Sequence, residues 1–127
     1  MKTIIAGGRD FVPTQKDVDL LDSLLDVITE VVSGKAKGAD NFGEDWAKQN
    51  NIPVKEFPAQ WNNFDLPVVV RKVNNYGKEY NAAAGFCRNK QMAEYADVVI
   101  IFKGGKGTND MYQQAKEHGL KVYDFRN

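Results

Sequence analysis

Three glycine-rich segments carry the clearest chemical signal in this sequence. They span residues 7–10, 34–40 and 103–109, and each leads into a stretch with the pattern of a helix. Glycine lets the backbone approach a ligand closely, and the free N–H groups of a helix N-terminus favour anions. The pattern therefore predicts a phosphate-binding site whose glycines are Gly7, Gly8, Gly34, Gly38, Gly104, Gly105 and Gly107.

Polar side chains accompany these glycines. Arg88 falls at the predicted start of a helix at the same edge, where a guanidinium can bind phosphate or carboxylate in bidentate fashion. Basic residues concentrate at this edge, whereas acidic residues cluster on the first helix, so a chain of zero net charge can present a basic pocket. The other predicted ligand contacts are Arg9, Lys37, Asp40, Asn89 and Thr108.

Catalysis would depend on a carboxylate, and Asp10 is the candidate acid at this edge. Asp10 has two simpler interpretations, as an anchor for Arg9 or as a turn residue. Asp40 also fits the N-cap of a helix. The chain has one histidine and one cysteine, so we expect no metal site and no cofactor.

Length and composition are typical of one globular domain, expected over residues 1–127. The zero net charge argues against general nucleic-acid binding, which usually requires a basic excess. A single cysteine excludes an internal disulfide and fits a cytoplasmic protein. No apolar stretch is long enough to predict a membrane span.

The order of the elements predicts the sheet. Apolar strands alternate with helical patterns, which is typical of a parallel sheet with right-handed crossovers. Residues 4–6 and 98–102 are continuously apolar and fit central strands, whereas residues 54–57 and 122–125 include polar side chains and fit edges. The prediction is a single Rossmann-like three-layer α/β domain, with a five-stranded parallel sheet in the order 3-2-1-4-5. Ligands bind such sheets where the order reverses, here between strands 1 and 4.

The helices are predicted from their caps and apolar spacing. The first begins after Thr14 as N-cap, with Asp17 in its first turn. Its buried stripe is predicted to comprise Leu21, Leu24, Leu25 and Ile28. Two later helices are predicted over residues 88–95 and 109–118.

Residues 59–85 are predicted to be irregular and to form a lid-like insertion at the ligand edge. The aromatic side chains of Trp61, Tyr76 and Tyr80 suit stacking on a base, and they fit equally well a satellite core or a subunit contact. Exposed apolar residues in this segment, Val68 among them, predict self-association into a homo-oligomer.

Taken together, these motifs resemble the SLOG superfamily, which includes LOG and DprA-like proteins, and within it the YspA-like family. The resemblance is carried by AGGRDF at residues 6–11, VSGKAKGAD at 32–40, RNKQMAEYAD at 88–97 and GT at 107–108. It implies a Rossmann-like fold and the sensing or processing of nucleotides or of NAD- or ADP-ribose-type molecules. Several members of the family are proposed to act in phage conflict.

The resemblance to the LOG enzymes is partial. Those enzymes are phosphoribohydrolases, which cut a nucleoside 5′-monophosphate into free base and ribose 5-phosphate. Residues 88–97 match the spacing of their arginine motif, and residues 104–108 match the start of their GGxGT motif. The resemblance puts Met111 at the position of their catalytic glutamate, and methionine can neither act as a base nor stabilise an oxocarbenium ion.

Three functions follow as hypotheses. The leading one is a sensor or sequestering protein for a nucleotide or an ADP-ribose-type small molecule. The second is an N-glycosidic hydrolase or transferase acting on a nucleotide, with Asp10 or Asp110 replacing the glutamate. The third is a protein-interaction domain that keeps only the fold.

Overall fold

The protein is described here by a computed structural model that covers residues 1–35 and 38–126. Within these ranges the elements follow in the order β1 (Lys2–Ala6), α1 (Gln15–Asp22), β2 (Glu30–Ser33), α2 (Ala39–Gln49), β3 (Val54–Glu56), β4 (Arg71–Val73), β5 (Glu79–Asn81), α3 (Ala84–Tyr95), β6 (Val98–Ile101), α4 (Lys106–Glu117) and β7 (Lys121–Asp124). None of these helices is both long and apolar enough to cross a membrane.

The main sheet has the order β3-β2-β1-β6-β7, and all its neighbouring strands are parallel. Ile4 of β1 pairs with Val32 on one side and with Val99 on the other. The predicted order 3-2-1-4-5 is therefore confirmed, with β6 and β7 as the fourth and fifth predicted strands. The order reverses between β1 and β6, as expected.

Helices cover both faces of this sheet and make it the middle of three layers. Side chains alternate along a strand, so Ile4 and Ile5 of β1 point to opposite faces. Ile4 packs in a cluster with Met92 of α3 and Ala115 of α4. Ile5 packs in another cluster with residues of α1 and α2, including Trp46. Burial on both faces explains why the central strands are continuously apolar.

Helix α1 begins as predicted and ends early. Thr14 is its N-cap: the Thr14 hydroxyl accepts from the Asp17 amide, and the Asp17 carboxylate accepts from the Thr14 amide. The helix ends at Asp22, where the Ser23 hydroxyl donates to the Leu20 carbonyl, a local bond that competes with helix continuation. The predicted stripe is wrong at Leu25, which is 41% exposed.

The other helices correct the predicted boundaries. Helix α3 begins at Ala84 rather than at residue 88, so Arg88 lies in its second turn. Helix α4 begins at Lys106, so Gly107 and Thr108 belong to its first turn rather than to a loop. Asp40 lies in the first turn of α2, whose N-cap is Gly38, so the N-cap interpretation of Asp40 is wrong.

The segment 59–85 is more regular than predicted. Strands β4 and β5 form an antiparallel hairpin around a turn at residues 74–77. The Asn74 side-chain oxygen accepts from the amides of Tyr76 and Lys78, which fixes this turn. The fully buried Asn81 ties the segment together by donating to the carbonyls of residues 63 and 68 and accepting from the amides of residues 70 and 83.

Candidate ligand-binding site

A cleft of about 990 Å³ opens at the carboxyl ends of β1 and β6, where the strand order reverses. Its walls come from the loop after β1, the loop after β2, the first turns of α2, α3 and α4, and the insertion at residues 59–85. The residues lining it are Ala6, Gly7, Gly8, Arg9, Asp10, Gly34, Lys35, Asp40, Pro58, Ala59, Trp61, Ala82, Gly85, Phe86, Arg88, Asn89, Met92, Gly105, Lys106, Gly107, Thr108 and Met111. The cleft is thus built where the sheet rule expects a ligand.

Close backbone contacts hold the glycine loops together. The Gly8 amide donates to the Lys103 carbonyl at 3.0 Å, which joins the loops after β1 and β6. A Cβ on Gly104 would lie 2.1 Å from the Thr108 hydroxyl and 2.6 Å from the Gly8 nitrogen. Gly38 has a φ of +78°, and a Cβ there would lie 2.1 Å from the Gly8 carbonyl oxygen. Only glycine fits at these contacts.

The helix N-termini at this edge carry no side-chain caps. The N-cap residues of α2, α3 and α4 are Gly38, Ala83 and Gly105, and none of them makes a side-chain capping hydrogen bond. Helix α1, which begins away from the cleft lining, has the Thr14 capping box instead. The first amides of a helix have no intrahelical partner, so the uncapped first turn of α4 offers donors to an anion in the cleft.

Arg88 is held in place by two hydrogen bonds. Its Nη1 donates to the Gly34 carbonyl, and its Nε donates to the Asn89 side-chain oxygen at 3.0 Å. A Cβ on Gly34 would lie 2.6 Å from Nη1, so this glycine makes room for the guanidinium. Burial lowers the pKa of Arg88, Asp40 and Asp110 oppose this effect, and the charge of Arg9 adds to it.

Two arginines therefore share one cleft. Burial is the main cause of the lowered pKa of Arg88, and the repulsion from Arg9 adds to it less than the attraction of Asp40 opposes it. Arginine remains charged across the physiological range, so the cleft holds two guanidinium charges beside the acidic residues Asp10 and Asp40. An anion bound at Arg88 would compensate the desolvation of its guanidinium.

Asp110 faces α3 rather than the cleft. Asn89, which is 6% exposed, donates its side-chain amide to the Gly107 carbonyl at 3.2 Å and to the Asp110 carboxylate at 3.1 Å. Burial raises the pKa of Asp110, although the hydrogen bond from Asn89 opposes the shift. Met111, only 2% exposed, lines the cleft. An apolar side chain thus lines the cleft where the LOG resemblance would put a carboxylate.

An ion pair between a buried carboxylate and a partly exposed lysine supports the loop after β2. Glu44 of α2 is 6% exposed and accepts from the Ser33 hydroxyl at 2.6 Å and from the Lys35 ammonium at 3.0 Å. Lys35 lines the cleft and has a φ of +60°, which a lysine rarely adopts. Burial alone would raise the pKa of Glu44, but the bonds from Ser33 and Lys35 outweigh it and lower the pKa.

Glu44→Gln is expected to destabilise the fold at neutral pH and to reduce the acid dependence of its stability. The Glu44 pKa is lower in the folded state, so its carboxylate stabilises the fold above the ordinary value of 4.5. This contribution is lost as the pH falls through the folded-state pKa. Urea unfolding between about pH 7 and about pH 3 measures it. Glu79→Gln, at a carboxylate that is 60% exposed, is the control, and equal pH dependence in the two variants would contradict the expectation.

The structure brings most of the predicted site residues together in the cleft. They are Gly7, Gly8, Arg9, Asp10, Gly34, Asp40, Arg88, Asn89, Gly105, Gly107, Thr108 and Trp61. Gly38 and Gly104 pack behind it against Gly8. Lys37 lies outside the described residues.

The predicted aromatic lid is only partly assembled. Trp61 lines the cleft and meets Tyr80 edge-on, with ring centroids 6.4 Å apart. Tyr80 lines a neighbouring cavity instead. Tyr76 is 94% exposed at the hairpin turn and lines neither cavity.

Sequence reasoning missed several small and apolar lining residues and the supporting Glu44. The small lining residues, such as Ala59 and Ala82, give no chemical signal because they contribute shape rather than charge. Glu44 does give a chemical signal, because its neighbours Phe42, Trp46 and Ala47 are apolar and the helix that contains them must be largely buried. A carboxylate on a buried helix requires a hydrogen-bonding or oppositely charged partner.

Comparison with known protein families identifies the family of this chain. The model of the YAcAr family, described as the YspA, cpYpsA-related SLOG family, matches residues 1–64. The chain belongs to this family. None of the curated proteins matches it in sequence.

Among solved structures, the chain is similar to DNA processing protein A (DprA) from Streptococcus pneumoniae. The TM-score is 0.68 and the sequence identity 21%, over 97% of this chain and 49% of the DprA chain. The chain thus spans about half the length of DprA. At this identity the likeness shows the fold, which is the Rossmannoid fold of the SLOG superfamily.

Proposed function

We propose that this protein binds a nucleotide-type anion in the cleft and acts as a sensor or sequestering protein. The observation that carries the proposal is the convergence of Arg9, Arg88 and the uncapped first turn of α4 on one cleft. Membership of a SLOG family supports a nucleotide-related function. ADP-ribose and other NAD-derived molecules are included in the proposed ligand class.

The charges and donors of the site suit a phosphate group. Arg9 and Arg88 supply two guanidinium groups, and the backbone amides of the α4 first turn supply directed donors. The Thr108 hydroxyl, at the same helix end, can bind a phosphate or ribose oxygen. A bound phosphate would also offset the desolvation of the Arg88 guanidinium.

Binding without cleavage is the favoured mode. Met111 lines the cleft and has no acid–base chemistry. The Asp110 carboxylate is engaged by Asn89, and Asp110 does not belong to the cleft lining among the described residues. Asp10 does line the cleft, which keeps N-glycosidic hydrolysis or transfer as the second candidate.

Arg9→Ala is expected to weaken binding of AMP and of ADP-ribose by about tenfold or more, the effect of losing one charge-assisted hydrogen bond. Isothermal titration calorimetry of wild type and variant measures this change. Lys16→Ala is the control, because Lys16 is an exposed cation on α1 that does not line the cleft. Adenosine, which has no phosphate, is the control ligand and should bind far more weakly. Equal affinities of wild type, Arg9→Ala and Lys16→Ala for AMP and ADP-ribose would contradict the assignment of Arg9 to the site.

Self-association is a further proposal. The insertion exposes Val68, Val70 and Val73, whose side chains are 56%, 44% and 62% exposed. Exposed apolar side chains grouped on one segment favour contact with a protein surface. Light scattering at micromolar concentration tests it, and a monomer would contradict it.

A further inference from the structure

A second cavity of about 450 Å³ lies beside the cleft. It is lined by Arg9, Trp61, Asn62, Asn74, Lys78, Glu79 and Tyr80. Arg9 and Trp61 also line the main cleft, so the two spaces share a wall. Both volumes fall in the range of about 300–1,000 Å³ that is usual for small-molecule sites. Each space could therefore hold its own part of one ligand.

The shared wall has an aromatic component fixed by packing. Trp61 is 40% exposed and stands edge-on to Tyr80, at an interplanar angle of 72°. Trp61 also packs over Gly85, where a Cβ would come within 3.3 Å of the indole Cη2 atom. The absence of a side chain at Gly85 thus gives the indole its room. A ring positioned in this way offers a stacking surface that costs little entropy on binding.

The other lining groups of the second cavity match the edge of a base. Asn62 and Asn74 contribute amides, Lys78 an ammonium and Glu79 a carboxylate. Glu79 also meets Arg71 at 3.3 Å, and the Asn74 oxygen accepts from two turn amides, so the hairpin sets the position of both. Donors and acceptors beside an aromatic face are the usual elements of base recognition.

Arg9 is the cation common to both spaces. A phosphate bound by Arg9 could therefore carry one substituent into the main cleft and another into the second cavity. Such an anion is a phosphate that links two groups rather than a terminal one. The sharing of Arg9 thus favours a two-ended ligand over a mononucleotide.

We propose that the second cavity binds a heterocyclic base, and that the ligand is a dinucleotide with two nucleoside groups joined through phosphates. One nucleoside occupies the main cleft, and Arg9 contacts the linking phosphates. The second base stacks on one ring of the Trp61–Tyr80 pair and meets the other ring edge-on. The inference rests on the proposed function, because it extends the same site to a second base. It names the ligand class that the two spaces together would select.

Diadenosine diphosphate and ADP-ribose provide the test, because both contain a pyrophosphate between two riboses and differ in the second base. Diadenosine diphosphate is expected to bind wild type about tenfold or more tightly than ADP-ribose, as the stacking of one base allows. Tyr80→Ala should remove this advantage, and the variant should still bind ADP-ribose. Lys78→Ala, at an exposed residue of the same cavity, should reduce the advantage of diadenosine diphosphate over ADP-ribose, and the variant should fold like wild type.

Tyr76→Ala is the matched control, because Tyr76 lies on the same hairpin and lines neither cavity. Equal affinity of wild type for the two ligands would overturn the inference and leave the proposed function standing. An equal loss of affinity for both ligands in Tyr80→Ala would also overturn it. So would a loss of affinity for diadenosine diphosphate in Tyr76→Ala as large as in Tyr80→Ala. Failure of both ligands to bind wild type would overturn the proposed function together with the inference.

Discussion

Gly38→Ala is expected to lower the free energy of unfolding by about 3 kcal/mol or more and to abolish ligand binding. Gly38 has a φ of +78°, in a region that costs an alanine about 1–3 kcal/mol. The added Cβ would also lie 2.1 Å from the Gly8 carbonyl oxygen and 2.7 Å from that of Arg9. Both contacts are with backbone, so the loop that carries Arg9 would have to move.

The chain provides a control that separates these two effects. Gly77 has a φ of +77°, and a Cβ there would meet nothing within 4 Å. Gly77→Ala should therefore cost only the conformational part, about 1 kcal/mol, and leave binding unchanged. Urea unfolding and calorimetry on both variants measure the difference. Similar behaviour of the two variants would contradict the close packing of Gly38 against the loop after β1.

Arg88→Met is expected to weaken binding of AMP and ADP-ribose by about a hundredfold, a larger loss than at Arg9. The Arg88 side chain is partly buried and already held by Gly34 and Asn89, so little ordering cost remains when an anion binds. Methionine keeps much of the packing and removes the charge and the donors. Titration calorimetry measures the change, and thermal unfolding checks that the variant folds.

Two further variants make the Arg88 result specific. Arg88→Lys keeps the charge but loses the planar fork of donors, so it should recover only part of the affinity. Arg71→Met is the control, because Arg71 lies on the hairpin with its side chain 58% exposed and does not line the cleft. A folded Arg88→Met variant with wild-type affinity would contradict the assignment of this residue to the ligand.

The sheet could be predicted from the sequence because burial leaves a direct mark on strands. Residues 98–101 are all apolar since both faces of β6 are covered, whereas edge strand β7 includes exposed Lys121 and Asp124. Those two patterns, together with the alternation of strands and helices, are sufficient for the strand order. The position of the cleft then follows from the point of reversal.

Element ends and close contacts could not be predicted in the same way. Leu25 has the spacing of a buried helical residue, but the helix ends at Asp22, whose carboxylate accepts from the distant Trp46 indole. The hairpin strands are three residues long and largely exposed, so they leave no apolar pattern. An available signal was the sequence Asn74-Asn75-Tyr76-Gly77, which is typical of a turn.

The candidate site also has features that the sequence predicts and contacts that it does not. Residue types and topology were enough to group Arg9, Arg88 and the glycine segments at one edge. They could not show that Gly38 packs on Gly8 or that Asn89 engages Asp110, because these contacts join segments far apart in the chain. Long-range side-chain contacts depend on the packed structure and leave no local pattern.

Mass spectrometry of the small molecules bound to the protein tests most directly whether it holds a nucleotide without cleaving it. Freshly purified protein would be incubated with a nucleotide mixture, washed and denatured, and the released molecules identified; Arg88→Met is the matched control. We predict an intact nucleotide-type molecule in about stoichiometric amount from wild type and much less from the variant. Free base and ribose 5-phosphate accumulating beyond stoichiometry would show an enzyme, and an empty wild-type protein would contradict nucleotide binding itself.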